Sequence, residues 1–180
     1  LEKAKEYAAE DADITFQLGE VFRPMLVKEK TENVLMDIEM PLVPVLAAME
    51  HEGVAIDKAA LNELSKQMEA DAKIIEQEIY DLAGVKFNIA SPKQLGEVLF
   101  DNLKLDPKAK KTKTGQYQTG EEVLTELVNV HPLPQKILDF RQIQKLKSTY
   151  VDTLPLLIHP LTGRVHTSYN QAVAATGRLS

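Results

Sequence analysis

The chain has 180 residues, no cysteine and a net charge of −6 from 21 Lys+Arg and 27 Asp+Glu. That length suits one domain with pieces of its neighbours and is enough to bury a sizeable core. The lack of cysteine excludes a disulfide framework and thiolate chemistry, and no stretch has the apolar length of a membrane span or the layout of a signal peptide.

The charge is unevenly divided. Residues 1–103 carry 10 Lys+Arg against 21 Asp+Glu, whereas residues 104–180 carry 11 against 6. A basic half in an acidic chain points to an anionic partner, with a lysine-rich solvated loop as the plainer alternative.

The pattern is mainly helical. Tyr7, Ala8, Ile14, Leu18, Val21, Phe22, Met25 and Leu26 recur at helical spacing between Ala4 and about Lys28. A second helix is expected through "MPLVPVLAAMEHEG", with Pro41 and Pro44 near its first turn and Gly53 ending it. "VAI" reads as a short extended link, and Asp57 as the N-cap of the most regular helix in the chain. There Leu61, Leu64, Met68, Ile75, Ile79 and Leu82 share a face until Gly84 stops the pattern.

In "SPKQLGEVLF", Ser91 is a predicted N-cap with Pro92 at the first helical position. Residues 104–120 read as a loop without hydrophobic period, holding five lysines and two glycines. Thr119 and Glu122 have capping-box spacing ahead of "GEEVLTELVNV". Pro132 and Pro134 open a long final helix to about Ile158, with Ile137, Phe140, Ile143, Leu146, Tyr150, Leu154 and Leu157 as its buried stripe. After a Thr162-Gly163 turn, the alternation of Val165, Thr167 and Tyr169 predicts a strand, whose partners are expected beyond Ser180. Leu1 in place of Met, and a pattern still running at Ser180, are what a piece of a longer protein would show.

Two basic clusters carry the chemistry. Arg141, Lys145 and Ser148 lie four and three residues apart on the last helix, and neighbours at that spacing are about 5–6 Å apart, near the phosphate repeat of a nucleic-acid strand. The loop "KAKKTKTGQYQTGEE" adds Lys108, Lys110, Lys111 and Lys113, with hydroxyls at Thr112, Thr114 and Thr119. Antiparallel packing would bring the clusters together. His51, His131, His159 and His166 show no metal-ligand spacing, and Tyr7 with Asp11, one helical turn apart, offers a single carboxylate.

The segments "YAAEDAD", "IEMPLVPVLAAMEHEGVAID", "FNIASPKQLGEVLF", "KKTKTG", "ILDFRQIQKLKSTYVDTLPLLI" and "GRVHTSYNQAVAATGRLS" together resemble bacterial family A DNA polymerases, in family order and over essentially the whole chain. The resemblance implies the end of a 3′–5′ exonuclease domain over 1–30, the thumb over 31–158 and the start of the palm over 159–180. The implied fold is a long antiparallel helix pair with a helical tip, followed by the first strands of a truncated palm sheet.

By the same resemblance Tyr7 is an exonuclease residue that positions the attacking water and Asp11 a metal ligand, the other ligands lying upstream. Asn88, Ser91, Lys113, Thr114 and Thr119 are implied to face the DNA backbone at the tip. Arg141 and Lys145 would meet the duplex near the primer end, with Asn170, Gln171 and Arg178 at the palm edge. "TGQYQTGEE" departs from the family's usual "TG-x-S-T-S/D", with Gln118 and Gly120 where hydroxyl or acidic side chains are common. The implied partner is primer–template duplex DNA, with deoxynucleotides and Mg2+ belonging to the parent enzyme. The expected location is the bacterial cytoplasm beside the nucleoid, without a membrane. The fragment alone is expected to be inactive, to bind no metal, and to oligomerise only through cut surfaces. A helical protein-interaction module is the alternative.

Overall fold

A computed structural model describes residues 2–180, with side chains from residue 5 onward. The chain divides into two units, Leu1–Val54 with Arg164–Ser180, and Ala55–Gly163.

The second unit is built on two helices, α4 (Lys58–Ala83) and α7 (Pro132–Leu146). Asp57 caps α4 by accepting from the Ala60 amide at 3.0 Å, and Gly84, left-handed at φ 68°, ends it. The two helices run antiparallel, as two clasps establish. Lys136 at the start of α7 pairs with Glu78 near the end of α4 at 2.6 Å. At the opposite end, Asp152 accepts from Ser65 of α4 and from Lys147, both at 2.7 Å.

Between the two helices the chain folds into a helical tip. It contains α5 (Pro92–Gly96), a wider π turn over Glu97–Asn102, and α6 (Glu121–Leu127). Ser91 and Pro92 open α5 as the sequence predicts, the Ser91 hydroxyl oxygen accepting from the Gln94 amide. Here the apolar core lies: Ile79, Leu95, Leu99, Leu124, Leu133 and Ile137 are fully buried together. Each contributes about 1.5–3 kcal/mol by leaving water.

The expected final helix is shorter than its pattern. After Leu146 it widens into a π turn over Lys147–Val151 and ends in one turn at Leu154–Leu156. Pro155 cannot donate an amide hydrogen and disfavours helical geometry at the residue before it. Of the expected buried stripe, Ile137 is buried, whereas Leu146, Tyr150 and Leu157 are exposed. The core sits at the tip, and the helix pair thins away from it.

In the first unit α1 spans Glu2–Glu29, a short turn of helix α2 spans Glu32–Val34, and a π turn over Leu35–Glu39 leads into α3 (Met40–Glu52). Pro41 opens α3 and Gly53 ends it, as expected. The apolar residues of α1 share a helix but little cover: Phe16, Phe22 and Met25 are exposed. The predicted strand after Gly163 is reduced to one antiparallel bridge between Val165 and Val54, with bonds of 2.8 and 2.9 Å. Past Val165 the segment is tied to α3 through side chains. His166 Nδ1 lies 2.8 Å from the Glu50 carbonyl, and the Tyr169 amide donates to the Glu50 carboxylate at 2.7 Å.

Candidate nucleic-acid interface

The lysine-rich stretch is a hairpin, not an irregular loop. Lys111 and Tyr117 form an antiparallel bridge, the Thr112 amide donates to the Gln116 carbonyl at 2.7 Å, and the Gln118 amide to the Lys110 carbonyl at 3.0 Å. The turn closes through the Gly115 amide on the Thr112 carbonyl at 2.9 Å, with Gly115 at φ 81°, a geometry suited to glycine. Lys113 and Thr114 stand exposed at its apex, and the Thr114 and Thr112 hydroxyls share a hydrogen bond of 2.9 Å.

Tyr117 fastens this hairpin to the tip. Its hydroxyl donates to the Asp101 carboxylate at 2.7 Å, which raises the phenol above its ordinary pKa. Its ring lies 4.9 Å from that of Phe100, and the Lys111 ammonium sits 4.3 Å above it. Gly96 makes the approach possible, since a Cβ there would stand 2.8 Å from the Tyr117 Cβ. Sequence reasoning passed over Tyr117, Asp101 and Gly96; the one signal was a lone aromatic within a polar stretch.

The strand leaving the hairpin meets α7. The Arg141 guanidinium donates to the Thr119 carbonyl at 2.7 Å, and burial lowers the guanidinium's pKa. Thr119 itself is buried, so its side chain is not presented to solvent as the sequence suggested. Nor does the capping box form: Gly120 is the N-cap of α6 and no side chain caps it. Arg141 uses the Thr119 carbonyl, which fixes the chain one residue short of that role.

One turn along α7, Lys145 is exposed beside a depression of about 630 Å³ bordered by Arg141, Leu138, Gln142 and Glu121. A second depression, about 880 Å³, runs from Pro92 across the hairpin to the start of α6. Next to it, Asn88 and Ser91 form a tight corner. The Asn88 side-chain oxygen accepts from the Ala90 amide at 3.0 Å, and the Ser91 amide donates to the Asn88 carbonyl at 2.9 Å. These bonds leave the Asn88 amide hydrogens, the Ser91 hydroxyl hydrogen and the Lys113 and Lys145 ammonium groups without protein acceptors among the described residues. A surface rich in fixed donors and cations complements phosphate oxygens and carries no base code of its own.

The remaining candidates lie in the first unit. Tyr7 and Asp11 are exposed on α1, and the Asp11 carbonyl accepts from the Thr15 hydroxyl at 2.7 Å. Among the described residues no three His, Cys, Asp or Glu side chains come together to hold a metal ion. The Gln171 amide nitrogen donates to the Glu39 carboxylate at 2.6 Å and to its carbonyl at 3.0 Å. Asn170 exchanges backbone bonds with Ser180, and Arg178 is exposed. No helix among the described residues is long and apolar enough to cross a membrane.

The profile of DNA polymerase family A matches residues 58–180. DNA polymerase I of Rhizobium leguminosarum is 49% identical over 181 residues, covering 100% of this chain and 18% of that protein. DNA polymerase I of Pseudomonas aeruginosa is 50% identical over 182 residues, covering 100% of this chain and 20% of that protein. The chain thus spans about a fifth of the length of the curated relatives it matches. Among solved structures, the POL domain of Pol1 from M. smegmatis, in complex with DNA primer-template and dNTP, superposes with a TM-score of 0.75. It is 38% identical and the match covers 92% of this chain and 29% of that one. Matched by its profile over two-thirds of its length, and by these relatives from end to end, the chain belongs to DNA polymerase family A.

Proposed function

We propose that this chain supplies the thumb of a bacterial DNA-directed DNA polymerase acting in replication and repair, and that it grips the primer–template duplex through the hairpin and the adjoining face of α7. The observation that carries the reading is the hydrogen bond from Arg141 to the Thr119 carbonyl, because it joins the two basic clusters into one surface. Lys113, Thr114, Asn88 and Ser91 meet the sugar–phosphate backbone from the tip, and Lys145 meets it from α7. Thr119 and Arg141 serve this surface mainly by holding it together, Thr119 through its carbonyl.

In the same reading, residues 1–30 close an exonuclease domain, 31–158 form the thumb and 159–180 begin the palm, where Asn170, Gln171 and Arg178 approach the primer end. A minor-groove donor such as Arg178 would find acceptors on every correct base pair and so sense pairing geometry without sequence. Nucleotidyl transfer requires metal ions held by clustered carboxylates. We therefore expect this chain alone neither to extend a primer nor to degrade one, with Mg2+ and deoxynucleotides bound by the parent enzyme in the bacterial cytoplasm.

The reading is tested by fluorescence anisotropy with a primer–template duplex and a single strand, alongside a primer-extension assay. Salt-sensitive binding that prefers the duplex, without extension, is the expected result. Binding indifferent to salt and strand form would favour a protein-interaction module, and nucleotide incorporation by the pure chain would refute the predicted inactivity.

A further inference from the structure

We propose that Tyr117 is a positioning residue that holds the lysine hairpin against the tip, and that Lys111, over its ring, is a strut of the same joint, not a phosphate ligand. The proposal rests on the reading of the hairpin as a phosphate-facing element.

A hairpin of two short strands is marginal in water by itself. This one has a single bridged pair and few hydrogen bonds, so its geometry depends on what it leans on. The bridged pair is Lys111 with Tyr117, and both side chains are turned to the joint. Tyr117 touches three things at once: the Phe100 ring at 4.9 Å, the Asp101 carboxylate at 2.7 Å and the Gly96 backbone. The glycine matters because any side chain at 96 would meet the Tyr117 Cβ at 2.8 Å and lift the hairpin.

Lys111 belongs to the same joint by its place over the Tyr117 ring, whose hydroxyl donates to the Asp101 carboxylate at 2.7 Å. Lys113, at the apex, has no such engagement among the described residues and is left for phosphate. The division of labour separates geometry from charge. Losing the anchor leaves every lysine in place, able to displace counterions, but adds the ordering of the hairpin to the work of binding.

The test combines amide hydrogen exchange with duplex binding across a salt series, on the full chain. In Tyr117→Ala, the Thr112, Gly115 and Gln118 amides are expected to lose protection while those within α4 and α7 keep theirs. Duplex affinity should fall about 3- to 10-fold with the salt slope nearly unchanged. Tyr117→Phe, which keeps the ring, should retain most hairpin protection. Gly96→Ala, which leaves the hairpin's own sequence intact, should reproduce the loss from the opposite side of the joint.

Hairpin protection that persists in Tyr117→Ala overturns the proposal. So does an unchanged duplex affinity in Tyr117→Ala when Lys113→Ala binds more weakly than the parent. If the protection is lost but Lys113→Ala binds duplex as the parent does, the anchor stands and it is the duplex-gripping reading that fails.

Discussion

The Arg141 guanidinium and the Thr119 carbonyl, 2.7 Å apart, join α7 to the strand that leaves the lysine hairpin. The bond spans 22 residues of sequence and uses one of the five N–H donors of a guanidinium that also lines the depression beside Lys145. Arg141 is therefore tied to the hairpin strand, whereas Lys145, its neighbour on the same helix face, has no such tie among the described residues.

That division predicts different consequences for the two. Arg141→Ala should destabilise the chain by about 1.5–3 kcal/mol, since the lost hydrogen bond is to a charged group and partly buried. Lys145→Ala should stay within about 0.5 kcal/mol of the parent. Urea unfolding followed by circular dichroism measures both, and equal stabilities for the two variants would show that the Arg141 bond contributes nothing.

Leu99 lies fully buried in the tip core among Leu95, Leu124, Leu133 and Ile137. Leu99→Ala should cost about 2–5 kcal/mol, the lost transfer energy plus the cavity left behind. The same urea experiment checks it, and a loss below 1 kcal/mol, as an exposed leucine would give, would place the core elsewhere.

The Asp152 clasp predicts an acid-side loss of stability. Its hydrogen bond from Lys147, and then that from Ser65, lower the folded-state carboxyl below the ordinary aspartate value. The unfolded state therefore binds the proton first. The clasp contributes fully above the unfolded pKa, about 3.9, and its contribution is lost as pH falls through the lowered folded value. A carboxyl-carbon NMR titration should find Asp152 titrating below the ordinary aspartate value. Asp152→Asn should flatten the corresponding part of the stability profile.

Gly53 should tolerate no side chain. Its backbone lies at φ 67° and ψ 179°, a region reserved for glycine, and an added Cβ would meet the His166 ring at 2.8 Å. Gly53→Ala is expected to destabilise its unit by about 1–3 kcal/mol. Exchange of the Val54 and Val165 amides, which bond across the single bridge, reports it. In a His166→Ala background the steric part should disappear and the backbone part remain, so full recovery would contradict the backbone argument.

What could be read from the sequence is what local chemistry decides. Asp57, Gly84, Ser91 and Pro92 mark helix ends because a side-chain oxygen, a left-handed glycine or a missing amide acts within a few residues. The antiparallel pairing came from the family resemblance, and the convergence of the basic clusters was conditional on that pairing. Features that join distant residues were not legible. Nothing near Lys136 announces Glu78, and nothing near Asp152 announces Ser65.

Thr119 shows the opposite failure. Its spacing to Glu122 satisfies a capping box, yet Arg141 claims its carbonyl and Gly120 takes over the cap. Tyr117 escaped notice because a single aromatic has no period, and its meaning depends on Gly96 and Asp101 in another element. The predicted strand after Gly163 has the right alternation but only one bridging neighbour, at Val54. Arg141, Lys145, Lys113, Thr114 and Thr119 stood out by charge and spacing, which left a solvated surface open; Asn88, Ser91, Asn170, Gln171 and Arg178 came from the family resemblance.

Under the proposed function, hairpin and α7 form one phosphate-facing surface. The most direct measurement is duplex affinity against salt for the parent chain and for Lys113→Ala/Lys145→Ala, two exposed lysines on the two elements. Each phosphate neutralised contributes about 0.9 to the slope of log K against log salt. The double variant should keep the parent's stability and show a slope smaller by about 1 to 2. A slope equal to the parent's would mean that these lysines are solvated charges and that the duplex, if bound at all, is held elsewhere.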